Sequence, residues 1–338
     1  MSRNWIASLV LAGSLLRAHA QPVVINMGTV APEGSPWHQI LQQMGEQWRR
    51  TANGRVKLRI YAGGVHGDEP DMVKRTRIGQ LQAVALSGAG LREIEPAAFC
   101  LQIPMMIESY EELDYVRDRI APRLEKMMEA KGYVVLNWGD VGWVYFFTKS
   151  PATRLNDIRK MKLFTWAGDN AELELWKAGG FRPVPLAATD ILTGLQTGLI
   201  DTFDTAPLAA LSNQWFGLAT YMIDVKWAPL TGATVVSRST WERIPEAERG
   251  ELLKTARDSG ERLRGDIRKS GDAAVAAMQK RGLKVIEADG PTLADWHKEV
   301  EWMYPRFRGK IVPADMFDEV RRLRDEYRTR AATKAGRS

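Results

Sequence analysis

The sequence predicts an α/β protein of two lobes with mixed sheets and one long connecting helix. Three observations support this fold class. Strands and helices alternate from residue 23 onward, the pattern restarts near Pro151, and one amphipathic helix is expected over 245–281. Such alternation is typical of a mainly parallel sheet covered by helices. A chain of 338 residues also exceeds the usual size of one domain, so we interpret the restart as a second lobe.

The elements of the first lobe are recognised by their hydrophobic period. Residues 56–61 alternate apolar and polar side chains, as a half-buried strand does. The first helix has Ser35 in the capping position and Pro36 at its first helical position. The sequence predicts strands at 23–27, 56–61, 83–86 and 133–138 and helices at 35–50, 69–81 and 111–131.

In the second lobe a helix ends at Gly198 and a short strand follows, as also happens at 79–85. Glycine suits the left-handed conformation of the residue that ends many helices. The similarity of the two segments is compatible with two related lobes. The sequence predicts strands at 162–166, 182–186, 200–204 and 234–237 and helices at 169–178, 189–197, from Pro207, 292–302 and 314–328.

Residues 1–20 have the composition of a secretory signal peptide. Arg3 supplies a positive start, residues 5–16 are apolar, and Ala18 and Ala20 place small side chains where a signal peptidase reads. The apolar run is too short to cross a membrane as a helix, which needs about 20 residues. We therefore expect cleavage after Ala20 and a periplasmic protein that does not itself span the membrane.

Charge and cysteine content exclude further classes. Loss of Arg3 and Arg17 with the signal peptide lowers the net charge from +6 to about +4, without the concentrated basic stripe of a nucleic-acid-binding protein. The one cysteine, Cys100, lies in an apolar stretch. It predicts a buried, inert thiol, because reactive thiols need electropositive, partly exposed surroundings.

The motifs of common enzymes are missing from the sequence. His38, His66 and His297 lack the spacing of a zinc site. Ser87 lacks the preceding glycine of a nucleophile elbow, and neither a P-loop nor a dinucleotide fingerprint is found. We predict no catalytic residue, no resident metal and no cofactor. A periplasmic enzyme remains the alternative class.

Aromatic residues stand near the ends of predicted elements. Trp138, Phe164, Trp166 and Trp227 lie at or just after strand ends, where ligands of α/β sheets bind. Lining a cleft and filling the core explain these four equally well, since pockets are mostly apolar with a few polar groups. Two further tryptophans on predicted amphipathic helices, Trp176 and Trp215, are expected in the core.

The order of several segments resembles the DctP-type substrate-binding proteins of TRAP transporters. The resemblance covers about residues 23–328. The segments that carry it are Gly-Gly-Val-His-Gly-Asp-Glu at 63–69, Leu-Asn-Asp-Ile-Arg-Lys-Met-Lys-Leu at 155–163, Pro-Leu-Ala-Ala-Thr-Asp-Ile-Leu-Thr-Gly-Leu-Gln-Thr-Gly-Leu-Ile-Asp at 185–201 and Val-Val-Ser at 235–237.

This resemblance implies a two-lobed periplasmic-binding-protein-like fold over residues 21–330. Lobe 1 would comprise about 21–145 and a returning segment, and lobe 2 about 150–235. The C-terminal helices, 245–330, would pack across both lobes, and 331–338 would form a flexible tail. Hinges are expected at 149–151 and 231–232.

The function that the resemblance implies is that of a monomeric receptor. It would bind a small organic molecule in the cleft between the lobes and deliver it to a TRAP-type membrane permease. A stand-alone sensor or scavenger would have the same sequence features, so this alternative stays open.

The sequence departs from the family where the family holds its ligand. Family ligands are usually carboxylates, paired with an arginine at the position that Phe164 occupies here, and Val144 stands at a second arginine position. Lys226, or a cation held by Asp140 or Asp204, could replace that anchor. We therefore expect a ligand with an apolar or aromatic body, or an organic acid held without an arginine.

The candidate ligand-binding residues combine these strand-end aromatics with polar residues of nearby loops and strand ends. They are Trp37, His66, Ser87, Trp138, Trp143, Phe164, Trp166, Asp204 and Trp227.

Overall fold

The computed structural model describes residues 22–335, and the predicted signal peptide lies outside this range. Its eleven strands form two sheets, of five and six strands. The strands are β1 (Val23–Thr29), β2 (Val56–Tyr61), β3 (Ala83–Ser87), β4 (Tyr133–Trp143), β5 (Tyr145–Thr148), β6 (Lys162–Trp166), β7 (Arg182–Leu186), β8 (Thr202–Thr205), β9 (Tyr221–Asp224), β10 (Pro229–Ser237) and β11 (Lys284–Glu287).

Helices cover these sheets, and short 3₁₀ segments occur at Pro96–Gln102, Ala188–Asp190 and Trp215–Gly217. The helices are α1 (Pro36–Thr51), α2 (Glu69–Arg77), α3 (Gly88–Ile94), α4 (Tyr110–Ala130), α5 (Leu155–Ile158), α6 (Asn170–Ala178), α7 (Ile191–Thr197), α8 (Pro207–Ser212), α9 (Arg238–Glu242), α10 (Glu246–Gln279), α11 (Gly290–Phe307) and α12 (Ala314–Ala335).

The first helix shows how local chemistry fixes an element. The Ser35 side chain accepts a hydrogen bond from the His38 N–H, and Pro36 occupies the first turn, where no donor is needed. The prediction for this helix is confirmed. The predicted helix over 69–81 instead ends at Arg77, because Gly79 takes a positive φ of 75°.

Both sheets are mixed rather than mainly parallel. The first has the order β2-β1-β3-β10-β4, with β10 antiparallel to both of its neighbours. The second has the order β11-β9-β5-β8-β6-β7, with β5 antiparallel to β8 and β9. The two antiparallel strands, β5 and β10, each directly follow a passage of the chain from one sheet to the other. Each of them therefore enters its sheet from the opposite end.

Three connections join the lobes. The chain crosses at Val144 between β4 and β5, and it returns through 225–228 between β9 and β10. The two crossings are paired: the Trp227 N–H donates to the Val144 carbonyl at 2.9 Å, and the Val144 N–H to the Ala228 carbonyl at 2.8 Å. Helix α10 is the third connection and leads from the first lobe to β11 in the second sheet.

These crossings correct the expected hinges and one boundary. Residues 149–151 follow β5 inside the second lobe, and residues 231–232 lie within β10, where they pair with β3 and β4. A segment bound into a ladder on both sides is a poor hinge. Strand β10 belongs to the first sheet, so the second lobe ends before 229 rather than near 235.

The C-terminal helices contact both lobes. In α11, Trp296 donates to the Thr153 carbonyl of the second lobe at 2.9 Å, and Tyr304 donates to the Pro104 carbonyl of the first lobe at 3.0 Å. Helix α12 packs on α4. It continues to Ala335, so residues 331–335 of the expected tail extend this helix, and residues 336–338 lie outside the described range.

Two further expectations concern single features. Cys100 is fully buried, and burial raises the pKa of its thiol to about 12, which confirms an inert cysteine. Within residues 22–335, no helix combines the length and the apolar character needed to cross a membrane.

Helix α10 packs very closely on β4 at Gly260. A Cβ atom at this position would lie 2.7 Å from the Cβ of Asn137 and 2.9 Å from the Trp138 carbonyl oxygen. Asn137 also donates to the Ala256 carbonyl at 3.1 Å. The absence of a side chain at residue 260 therefore sets the distance between the helix and the sheet.

Replacement of this glycine tests that contact. Glycine costs a helix interior about 1 kcal/mol relative to alanine, yet we expect Gly260→Ala to lower the midpoint of urea unfolding, because its methyl group meets backbone. Gly265→Ala, in the same helix with nothing within 4 Å of its Cβ, is the matched control and should raise the midpoint. Equal midpoints for the two variants would contradict the close packing.

Candidate functional site

A cavity of 420 Å³ lies between the two lobes. Strand ends and helices of both sheets line it, including β3 and β10 of the first lobe and β6 and β8 of the second. Its wall is rich in aromatic side chains from both lobes and their connection: Trp37, Phe99, Phe164, Trp166, Trp176, Trp215, Trp227 and Phe307.

Glu69 and the start of α3 form the first-lobe side. The Glu69 carboxylate accepts hydrogen bonds from the Ser87 N–H at 2.9 Å, the Ser87 hydroxyl at 2.9 Å and the Gly90 N–H at 2.8 Å. A Cβ on Gly90 would lie 2.7 Å from Glu69 Oε2, so glycine permits this approach. Burial raises the pKa of Glu69 to about 7, and these hydrogen bonds oppose the rise.

Asp204 is on the second-lobe side, on the cavity face of β8. It is the register partner of Phe146 on β5. On the other side, Leu163 of β6 pairs with Thr202, and two residues further along these parallel strands Thr165 lies beside Asp204. Side chains of register partners share a face, so the carboxylate projects between a phenyl ring and a threonine.

The Asp204 carboxylate has an unusual environment. Within residues 22–335, no other residue donates a hydrogen bond to it. Burial and, second, the negative charge of Glu172 raise its pKa to about 7. A carboxyl group in this condition gains free energy from any donor or cation that reaches it.

An ion pair closes one side of the cavity and joins the lobes. Arg92 of α3 contacts Glu172 at 3.1 Å and also Asp169, the residue that caps α6. Its guanidinium lies 4.3 Å from the centre of the Phe99 ring. Because Arg92 belongs to the first lobe and both acids to the second, the pair holds the lobes together.

The other candidate anchors are already engaged or lie elsewhere. Asp140 is paired with Arg117 at 2.6 Å and Arg268 at 2.7 Å, so its charge is balanced. Lys226 is exposed, with its ammonium 5.3 Å from the Trp143 ring centre, and it does not line the cavity. Among residues 22–335, no cluster of three or more histidines, cysteines and acids is placed to hold a metal ion.

Six of the nine predicted site residues meet at this cavity, and three do not. His66 packs edge-on against Tyr61, Trp138 donates to Glu125 at 3.0 Å, and Trp143 packs against Tyr110. That the other six bind a ligand stays a prediction. The residues that line the cavity are Trp37, Ser87, Phe164, Trp166, Asp204 and Trp227.

Sequence reasoning missed several lining residues. Glu69 ends the segment at 63–69 and begins a helix, a signal that could have identified it. Arg92 and Glu172 had no local signal, because each becomes part of the site only where the lobes meet. Trp176 and Trp215 belong to the buried core, as expected, and in addition line the cavity.

A cavity enclosed between two α/β lobes defines the class of ligand-binding receptors that close on a solute. A family model described as bacterial extracellular solute-binding protein, family 7 (DctP), matches residues 27–310, and the chain belongs to this family. The resemblance seen in the sequence and the predicted two-lobed fold are thereby confirmed. The family consists of binding proteins rather than enzymes.

Known relatives are distant but extend over nearly the whole chain. A solute-binding protein of Roseobacter denitrificans is 25% identical over 282 residues, which cover 81% of this chain and 84% of the relative. The C4-dicarboxylate-binding periplasmic protein DctP of Rhodobacter capsulatus is 23% identical, with 83% and 86% covered.

The fold is shared with solved structures. The sugar acid binding protein DctPAm of Advenella mimigardefordensis, crystallised with galactonate, superposes with a TM-score of 0.84. Its sequence is 18% identical, and the match covers 90% of this chain and 99% of that protein.

The raised pKa of Asp204 predicts a pH dependence of stability. The folded state holds this proton to about pH 7, whereas the unfolded carboxyl loses it near its ordinary value of 3.8. The contribution of Asp204 to the free energy of unfolding should therefore fall as the pH rises between these values and level off above them. Asp204→Asn should weaken this fall, which urea unfolding across the pH range measures. Glu69 contributes a fall of the same sign, so part of the slope should remain.

The control for this measurement is Asp224→Asn, which changes an exposed aspartate at the end of β9. It should keep the slope of the unchanged protein. A slope that Asp204→Asn leaves unaltered would mean that Asp204 has an ordinary pKa.

Proposed function

We propose that the chain is a periplasmic receptor that binds a small organic molecule in the cavity between its lobes and delivers it to a TRAP-type membrane permease. The observation that carries this proposal is the 420 Å³ cavity, whose lining comes from both sheets. A ligand in this position contacts both lobes and therefore favours the closed arrangement. Export after cleavage at Ala20 and a monomeric state belong to the same proposal.

The ligand that we propose has a substantial apolar or aromatic body. Rings from both sides, among them Trp37, Trp166 and Trp227, line the cavity. Aromatic pairs contribute about 0.5–1.5 kcal/mol beyond the burial of area, so several rings are needed to replace one charged anchor. Relatives bind a C4-dicarboxylate or galactonate, as their names state. Because residue 164 is phenylalanine here, this receptor cannot hold a carboxylate through an arginine at that position.

Trp166 tests the aromatic wall with little risk to folding, since it is only half-buried. A thermal-shift screen of a metabolite library should first identify a ligand that raises the melting temperature in proportion to its concentration. We expect Trp166→Ala to weaken that ligand by about tenfold or more, as measured by calorimetry, because one stacking face is lost. Trp302→Ala, which removes an exposed tryptophan outside the cavity, should bind the ligand unchanged.

The outcomes of this screen separate the classes. A saturable ligand without product formation supports the receptor, whereas turnover would favour a periplasmic enzyme on the same fold. Equal binding by Trp166→Ala and Trp302→Ala would reject the aromatic body and leave the receptor in place.

The ion pair of Arg92 makes a separate prediction about closure. Arg92→Gln should increase the radius of gyration of the ligand-free protein in solution scattering, because the contacts with Asp169 and Glu172 no longer hold the lobes together. Arg306→Gln is the control, since the hydrogen bond and the ring contact of Arg306 within residues 22–335 are both with Trp302 of its own helix. If the two variants scatter identically, the pair does not restrain opening.

A further inference from the structure

The charged groups that line the cavity differ in how many partners they have. Its lining includes four carboxylates, Glu69, Asp140, Glu172 and Asp204, and one guanidinium, that of Arg92. These counts refer to the described part of the chain. A cavity of this composition does not attract a simple anion.

Three of the four carboxylates have partners. Glu69 accepts three hydrogen bonds from Ser87 and Gly90. Glu172 contacts Arg92 and accepts a hydrogen bond from the Trp176 indole at 3.2 Å. Two arginines balance Asp140, as described above.

The guanidinium of Arg92 is engaged at one of its terminal nitrogens, whereas the buried Nη1 atom has no hydrogen-bond partner within residues 22–335. Its Nη2 atom contacts both Asp169 and Glu172, and its side chain is only 11% exposed. Two acids therefore surround the one lining cation, and a third carboxylate from a ligand would meet their negative charge. Among the lining carboxyl groups of the described chain, the one without a partner is Asp204, and the one unpartnered cationic donor, Nη1 of Arg92, belongs to the guanidinium that contacts the two acids.

One aromatic residue is the strand neighbour of this free carboxylate, and two buried tryptophans pack beyond it. Phe146 is its register partner, and the centre of the Phe146 ring lies 5.4 Å from that of Trp227. Trp227 in turn stacks on Trp176 at 5.9 Å with an interplanar angle of 24°. A carboxylate beside electron-rich ring faces is the combination that binds an ammonium group, because both attract positive charge.

Two buried neutral groups give a second, independent indication that a polar ligand belongs here. The side-chain nitrogen of Gln102 and the hydroxyl of Thr165 have no hydrogen-bond partner within residues 22–335, although both residues line the cavity and are 4% and 2% exposed. Buried polar groups without partners are costly. Thr165 lies beside Asp204 across the pair of strands β6 and β8. A polar group of a ligand that forms a hydrogen bond with one of them is therefore within reach of the other.

We propose that Asp204 is the subsite for a protonated amino group, so that the ligand is an organic cation or a zwitterion rather than a simple organic acid. This inference rests on the proposed receptor function and specifies its ligand class. The amino group donates to the Asp204 carboxylate, and the apolar body lies against the tryptophans. Any acidic group of a zwitterion meets neutral donors such as Gln102.

Probes that share a phenyl ring on a short chain and differ in the charge of their polar group test this assignment. The probes are 2-phenylethylamine, 3-phenylpropanoate, 2-phenylethanol and phenylalanine, each titrated into the mature protein by calorimetry at neutral pH. We expect the amine to bind at least tenfold more tightly than the acid, with the alcohol between them. Phenylalanine separates a zwitterion site, where it binds more tightly than the amine, from a site for simple cations, where it binds more weakly.

The variants are Asp204→Asn and, as the matched control, Asp224→Asn, which changes an exposed aspartate away from the cavity. Asp204→Asn should abolish the preference for the amine over the acid, whereas Asp224→Asn should keep it. If Asp204→Asn fails to fold, the order of affinities in the unchanged protein decides the question alone.

Several results would overturn the assignment. They are an acid that binds as tightly as the amine, an amine without measurable binding, or an amine affinity that Asp204→Asn leaves unchanged. If the metabolite screen then identifies a carboxylate whose binding depends on Trp166, the subsite is wrong and the receptor function stands. If no probe and no metabolite saturates the protein, the receptor function fails together with the subsite.

Discussion

The backbone pairing between the two crossing segments is the constraint on which the rest of the structure depends. Val144 and the 227–228 segment exchange hydrogen bonds at the point where the chain passes between sheets, so the two crossings behave as one narrow ribbon. Trp227 lies within this ribbon and packs against Phe146 of the second sheet and Trp296 of α11. The ribbon therefore fixes where the two lobes are joined, and the shape of the cavity between them depends on it.

The links between the lobes differ in strength, and this difference suits a receptor that opens and closes. The ribbon and α10 are covalent connections supported by buried packing. The contact of Arg92 with Asp169 and Glu172 is a largely buried ion pair, and Arg92 and Glu172 line the cavity. When the lobes separate, water can solvate these charged groups, whereas it cannot compensate for the exposure of a hydrophobic cluster. Opening therefore needs only the ion pair and the contacts across the cavity to separate while the ribbon stays formed.

The electrostatics of the cavity follow from which charges the fold neutralises. Asp140 lies at the centre of a network with Arg117 and Arg268 and acts as a support for β4, α4 and α10. Glu69 serves the first turn of α3 through its hydrogen bonds with Ser87 and Gly90. Asp204 has no comparable structural task. A buried carboxyl group without a structural partner is typical of a ligand contact.

The sequence by itself determined the class of fold, the main helices and the family. These follow from signals within short stretches: the Ser35-Pro36 helix start, the alternation at 56–61, the apolar stripe of α10 and the segment at 185–201. Local signals also placed aromatic residues at strand ends, and Phe164, Trp166 and Trp227 do line the cavity. Short strands such as β5 and β9 escaped prediction, because four residues are too few to show a hydrophobic period.

Only the tertiary structure decided which strand-end residues face one another. Trp143 ends β4, as Trp166 ends β6, whereas Trp138 lies in the middle of β4 because the strand continues beyond its predicted end. Both tryptophans of β4 pack away from the cavity, against Glu125 and Tyr110. The pairing of Arg92 with Glu172, 80 residues away, exists only because two lobes meet. Local sequence patterns specify helices and strands, because the residues that stabilise each of them are close in sequence. A cleft is built by residues that become neighbours only after both lobes have formed, so no local pattern predicts which of them meet.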